Sequence, residues 1–165
     1  MILRPATEDD AAAIVRVRVP LVRDTLITFT TLEPRPEDVA AEIRQAAREG
    51  WAYFVATEGQ AVGFASYRPF RTGPGYARTM ELSVNLVEEA AGKGTGRALI
   101  AQLERHARDA GVHALIAGVS GANQRGLRFF RQVGYEDVGR LPGVGYKFGK
   151  FLDLVLLQKT LPPET

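Results

Sequence analysis

The 165-residue chain contains no cysteine. That excludes a disulfide framework, a thiolate nucleophile and any zinc site built on cysteine. Histidine is nearly as scarce, with two residues, and tryptophan occurs once. Net charge is almost missing as well: 21 basic against 19 acidic residues leave +2. This is too little for a strongly basic nucleic-acid module, although a local basic patch stays open. No apolar run approaches the ~18 residues of a membrane span, and Met1 to Asp10 carries acids but no apolar core, so no signal peptide is expected. Repeats, low-complexity tracts and long linkers are missing too. What remains, 45% hydrophobic and 24% charged, is an ordinary globular composition. The expectation is one cytoplasmic domain over residues 1–165 with no nucleic-acid, membrane or metal partner, large enough to bury a core without covalent staples.

Hydrophobic periodicity divides the chain. Thr7 is a plausible cap for a helix carrying Ile14, Val17 and Leu21 on one face. Pro34-Arg35-Pro36 starts a second helix with Val39, Ile43 and Ala47 inward, closed by Gly50. Trp51–Ala56 and Ala61–Arg68 read as a hairpin about Glu58-Gly59-Gln60, and Met80–Val87 as a further strand. Thr95–Ala110 reads as a helix ended by Gly111, Val112–Val119 as a buried strand and Ala122–Val133 as a short helix. Tyr135–Gly139 is a strand, Leu141–Lys150 a glycine-rich loop, and Phe151–Leu161 a last strand. The order β-α-α-β-β-β-α-β-α-β-β implies an α+β sheet of mixed direction.

The segment Ala91-Gly92-Lys93-Gly94-Thr95-Gly96-Arg97 lies between a strand and a helix. Glycines admit close backbone approach, and a helix N-terminus offers unpaired N–H groups with partial positive charge, a combination suited to pyrophosphate. A Walker A loop fails, because Gly92-Lys93 is followed by glycine rather than Ser or Thr. A dinucleotide fingerprint fails as well, since Leu99 stands where a small residue belongs and no βαβ unit precedes it.

A third reading fits. From about Glu81 to Leu161 the chain resembles the GNAT superfamily of acetyl-CoA-dependent N-acetyltransferases, whose turn reads Gln/Arg-x-x-Gly-x-Gly/Ala; here Ala91 replaces the leading residue. The stretch Gly145-Tyr146-Lys147-Phe148-Gly149-Lys150-Phe151-Leu152-Asp153 is similar to the G-x-K-x-G-x-W-x-D tail of the phosphinothricin and methionine sulfone acetyltransferases. Asn123 to Tyr135 follows in the expected order, whereas the first eighty residues match only through Ile27-x-Phe29 and Glu33-Pro34. The resemblance implies a GNAT-like, mostly antiparallel twisted sheet of about seven strands flanked by about four helices, splayed at an acetyl-CoA cleft.

It also implies roles. The backbone of Val84, Asn85 and Leu86 would pair with the pantetheine arm as an added strand. The amides of Gly92, Lys93, Gly94, Thr95, Gly96 and Arg97 would hold the pyrophosphate, with charge from Lys93 and Arg97. Asn123 matches an asparagine that contacts coenzyme A. Glu81 occupies the general-base position. An ammonium acceptor of pKa ~9.5 costs about 3 kcal/mol to deprotonate at neutral pH, which a carboxylate base offsets. Arg78 at the strand start, or Lys147 in the tail, would read the carboxylate of an amino acid-like acceptor. Phe130 stands where many relatives carry a proton-donating tyrosine or histidine. His106, on the outer face of its helix, and His113 read as solvated, Asp153 as a structural acceptor, and Phe129 and Phe130 as core aromatics. The reaction the resemblance implies is direct attack by a small-molecule amine on acetyl-CoA, and the lack of a cysteine to carry the acetyl group agrees with it. A homodimer is possible, as in relatives of this branch. An acetyl-CoA-binding protein with lost catalysis and a peptide N-terminal acetyltransferase are the alternatives.

Overall fold

A computed structural model describes residues 1–163. The chain runs β1 (Ile2–Pro5), α1 (Ala11–Asp24), α2 (Pro36–Glu49), β2 (Tyr53–Glu58), β3 (Gln60–Pro69), β4 (Thr79–Leu86), α3 (Thr95–Asp109), β5 (Ala114–Ser120), α4 (Gln124–Gln132), β6 (Glu136–Lys147) and β7 (Lys150–Thr160). The strands form one sheet in the order β1-β2-β3-β4-β5-β7-β6. Every neighbouring pair is antiparallel except β4 and β5. The element order and mixed sheet are those expected from the sequence.

Strand alternation builds two cores. Phe54, Ala56, Ala65, Tyr67 and Leu82 point to one face, where Leu99, Ile100 and Leu103 of α3 cover them. Tyr53, Val55 and Phe64 point to the other, against Ile14 and Val17 of α1 and Val39 and Ile43 of α2. The glycine after α2 takes the left-handed conformation at φ 74°, which closes the helix as its position suggested.

Three local readings change. A 3-10 turn over Glu8–Asp10 separates Thr7 from α1. The glycine-rich segment expected as a loop continues as β6, because Gly139, Gly143 and Gly145 let the ribbon shift register against β7 after Asp137 and again after Leu141. That hairpin closes at Phe148 and Gly149, both with positive φ, as a two-residue turn of this hand requires. Finally, His106 is not on an outer face. It follows Leu99 by seven residues and Leu103 by three, and so shares their side of α3. Its Nδ1 lies 2.6 Å from the Tyr67 hydroxyl, and burial pulls its pKa below the ordinary value. His113 is exposed.

Candidate functional site

The parallel pair is short. Thr79 to Leu82 pair with Ala114 to Ala117, and beyond that point β4 and β5 separate. Val84, Asn85 and Leu86 keep partners only on β3, and Gly118 to Ser120 only on β7. Each strand therefore presents one unpaired backbone edge to the gap, which is where an extended chain with amide groups can be added. A cleft of about 240 Å³ occupies the gap, lined by Val84 and Asn85 on one side and by Gly118, Ser120 and Asn123 on the other. Phe130 also lines it, and Ile27, Thr28 and Phe29 border it from the loop between α1 and α2. Leu86 is not part of this lining; it packs toward Gly63 and Gly96.

The glycine turn lies between β4 and α3. Gly92 and Gly94 hold φ at 75° and 85° with open space where side chains would stand. The first helical bond of α3 is Ala98 N to Gly94 O at 3.0 Å, and the helix has no side-chain cap and no acid in its first turn. The amides of Thr95, Gly96 and Arg97 are thus left for a ligand, in a field that favours an anion. Lys93 and Arg97 are exposed beside them. The residues present fit a coenzyme with a pyrophosphate and an amide-bearing arm. Gly96 differs from its two neighbours. A side chain there would meet the Phe129 ring at 3.2 Å, so its lack of one serves helix packing, and only its N–H faces a ligand. Asn123 caps α4 by accepting from Gly126 N at 2.9 Å, which leaves its side-chain NH2 for the cleft.

Glu81 is half-buried on the opposite face of β4 from Leu82, and its carboxylate has no hydrogen bond or ion pair among the described residues. It reaches toward β5: a methyl group on Gly118 would lie 3.4 Å from Oε1. Its carboxylate therefore sits where the two strands part. Glu81 also lines a second cavity of about 210 Å³, which meets the first at Ser83 and Asn85. Arg68 lies directly across from Glu81 in the β3–β4 register and lines the same cavity, so a guanidinium and a carboxylate share one face. The same cavity is lined by Arg18, joined to Glu42 at 2.9 Å, and by Tyr53, whose hydroxyl burial and Glu42 hold well above the usual pKa.

Two expected acceptor residues lie elsewhere. Arg78 is exposed at the paired end of β4, with its carbonyl taken by the amides of His113 and Ala114, and it lines neither cavity. The parallel seam fixes that end of the strand away from the gap. Lys147 is 1% exposed, with its ammonium donating to the Thr28 carbonyl at 2.9 Å rather than open to a ligand. Arg68, Arg18 and Tyr53 carried no motif. The one available signal was parity: once β3 and β4 pair, Arg68 must face with Glu81. Asp153 does act as a structural acceptor, taking Gly143 N and Arg140 Nε each at 2.9 Å; those donors hold its pKa below the carboxylate norm. Among the described residues, no group of three or more potential metal ligands occurs and no helix is long and apolar enough to cross a membrane.

Comparison with known proteins agrees with this geometry. The family described as acetyltransferase (GNAT) domain matches residues 3–156. An L-methionine sulfoximine/L-methionine sulfone acetyltransferase of Pseudomonas paraeruginosa is 37% identical over 119 residues, 71% of this chain and 69% of its own. Among solved structures, the ribosomal-protein-alanine N-acetyltransferase of Brucella melitensis superposes with a TM-score of 0.93 at 39% identity, covering 98% of this chain and 100% of that one. The yncA protein of Salmonella typhimurium, solved with its cofactor acetyl-CoA, gives a TM-score of 0.94 at 30% identity over 100% and 96% of the two chains.

Proposed function

The chain belongs to the GNAT acetyltransferase family and is an acetyl-CoA-dependent N-acetyltransferase, and from that premise we propose that its acceptor is the primary amine of a small amino acid-like molecule. A single domain over residues 1–165 carries the activity. The observation behind the acceptor is the pairing of Glu81 with Arg68 on one face of one cavity. An amino acid presents an ammonium and a carboxylate a few bonds apart, and this face presents their complements.

Acetyl-CoA supplies the activated acetyl group. The backbone of Val84, Asn85 and Leu86 would hold its pantetheine arm, and the amides from Gly92 to Arg97, with Lys93 and Arg97 alongside, its pyrophosphate. Asn123 contributes its side-chain NH2. Glu81 attracts the acceptor ammonium, takes its proton directly or through a water and leaves a free amine at the mouth of the splay. Arg68 holds the acceptor carboxylate with a two-pronged fork. The phenyl ring of Phe130 has no proton to give, so the departing thiolate, with a thiol-like pKa of ~8.5, leaves as the anion or is protonated by water.

The Brucella relative, named for a ribosomal protein, supports a second reading in which the amine is a peptide N-terminus. The Glu81–Arg68 pair, which complements an ammonium and a nearby carboxylate together, favours the small acceptor. Thioester consumption with free amino acids, methionine sulfone, phosphinothricin and alanine-starting peptides decides between them. Turnover with the amino acid-type amines and little with peptides is expected. Preference for peptides reverses the assignment, and turnover with none of them removes the acceptor class.

A further inference from the structure

The tail motif Gly145-Tyr146-Lys147 is not used by the reaction as derived, yet two of its three residues meet the rim of the cleft. Gly145 and Lys147 are two residues apart on β6 and face the same way; both are buried, while Tyr146 between them is 60% exposed. A side chain on Gly145 would stand 2.6 Å from the Phe29 ring, so the ring occupies the place the glycine leaves. The Lys147 ammonium donates to the Thr28 carbonyl at 2.9 Å, approaches the Thr28 hydroxyl at 3.4 Å and sits 5.0 Å from the centre of the Phe148 ring.

The loop between α1 and α2, residues 25–35, has few other anchors. Thr25 bonds back to Leu21, Ile27 to Thr25, Leu32 to Thr30, and Glu33 to Arg23 at the surface. Among the described residues, Lys147 is the one side chain of the sheet that hydrogen-bonds to residues 25–34. Burying an ammonium against a neutral carbonyl and hydroxyl, with no carboxylate in contact among the described residues, is an expensive arrangement for a mere surface hairpin. The cost becomes intelligible if the loop must stand in one place.

We propose that Lys147 is a positioning residue: with Gly145 it fastens residues 25–35 to the far edge of the sheet, so that Ile27, Thr28 and Phe29 stand against the cleft between β4 and β5. This rests on the reading of that gap as the substrate cleft. The device also explains why a lysine and a glycine sit two residues apart in the tail: one supplies a buried donor and the other a slot for an aromatic ring. Burial alone lowers the Lys147 pKa from its ordinary value, consistent with a site that offers polar partners but no counter-charge.

The test is Lys147→Met, which keeps the stem and removes the donor, read by hydrogen exchange and steady-state kinetics. Amide exchange in residues 25–35 should rise about tenfold or more, the usual consequence of losing a charged hydrogen bond. The KM of the substrate that these three residues touch should rise by a similar factor, with the KM of the other held within about twofold. Gly145→Ala, which evicts Phe29 and leaves the ammonium in place, should produce the same segment-limited exchange. Unchanged exchange in residues 25–35 of the folded variants overturns the proposal. So does a rise spread over the whole chain with both KM values moving together. If the wild type acetylates no amine offered, the acceptor reading fails on its own, and the exchange result still decides whether Lys147 fastens the loop.

Discussion

The two sides of the splay are made differently. On the proposed reading the coenzyme side is mostly backbone: a strand edge at Val84 to Leu86, a glycine turn and three amides at the start of α3, with only Lys93, Arg97 and Asn123 adding side chains. On the same reading, the acceptor side is side chains gathered from distant places: Arg18 and Glu42 from two helices, and Tyr53, Arg68 and Glu81 from three strands. A ligand held by peptide groups requires a local conformation, and a local conformation leaves a local pattern. A ligand held by side chains requires only that the fold bring them together.

Changes on the acceptor side should therefore alter turnover or amine preference, and changes on the coenzyme side should alter acetyl-CoA affinity alone. Glu81→Gln is the strongest test. It should lower kcat ~10²-fold or more while calorimetric acetyl-CoA affinity holds. The deficit should narrow as pH rises and the amine deprotonates unaided; wild-type rates at pH 7 would remove Glu81 from the chemistry. Arg68→Ala comes next. The loss of a charged fork predicts a KM about tenfold higher or more for amines bearing a carboxylate, with little change for those lacking one. Equal effects on both classes would mean that Arg68 shapes the cavity and does not read the acceptor.

On the other side, Gly94→Ala places a side chain at φ 85°, a conformation costing roughly 1–2 kcal/mol. Relaxation of the turn should weaken acetyl-CoA about fivefold, with kcat unchanged at saturation. A lowered kcat at saturation would show that the turn also sets the position of the thioester. Smallest of all is Arg97→Gln. An exposed charge beside the pyrophosphate is worth about 0.5 kcal/mol, so a two- to threefold loss of affinity at low salt should fade at high salt. A loss indifferent to salt would point to a fixed hydrogen bond in place of a screened charge.

The same division decides what could be read before the fold was known. The glycine turn was legible because Gly92 and Gly94 announce backbone that other residues avoid, and α3 was legible because its apolar spacing begins right after them. Arg68 was not, since only the β3–β4 register makes it Glu81's neighbour. Lys147 was visible as a motif, but its partner Thr28 stands 119 residues earlier. His106 hides for a similar reason: its heptad spacing from Leu99 is present in the sequence, but its hydroxyl partner, Tyr67, comes from another element. Glycine also misled once. In β6 it permits bulges within an edge strand, where the sequence suggested a loop.

The brief seam between β4 and β5 has a thermodynamic consequence. Four residues on each strand join the two halves of the sheet directly, after which each half carries an open edge. A ligand running up the gap would satisfy both edges and tie the halves together, and an unfolded chain has no such gap to offer it. Occupancy and folding are then linked, so that at a hundred times its dissociation constant such a ligand would add about 2.7 kcal/mol to the free energy of unfolding. The protein's resistance to heat would thus follow the supply of its own acetyl donor.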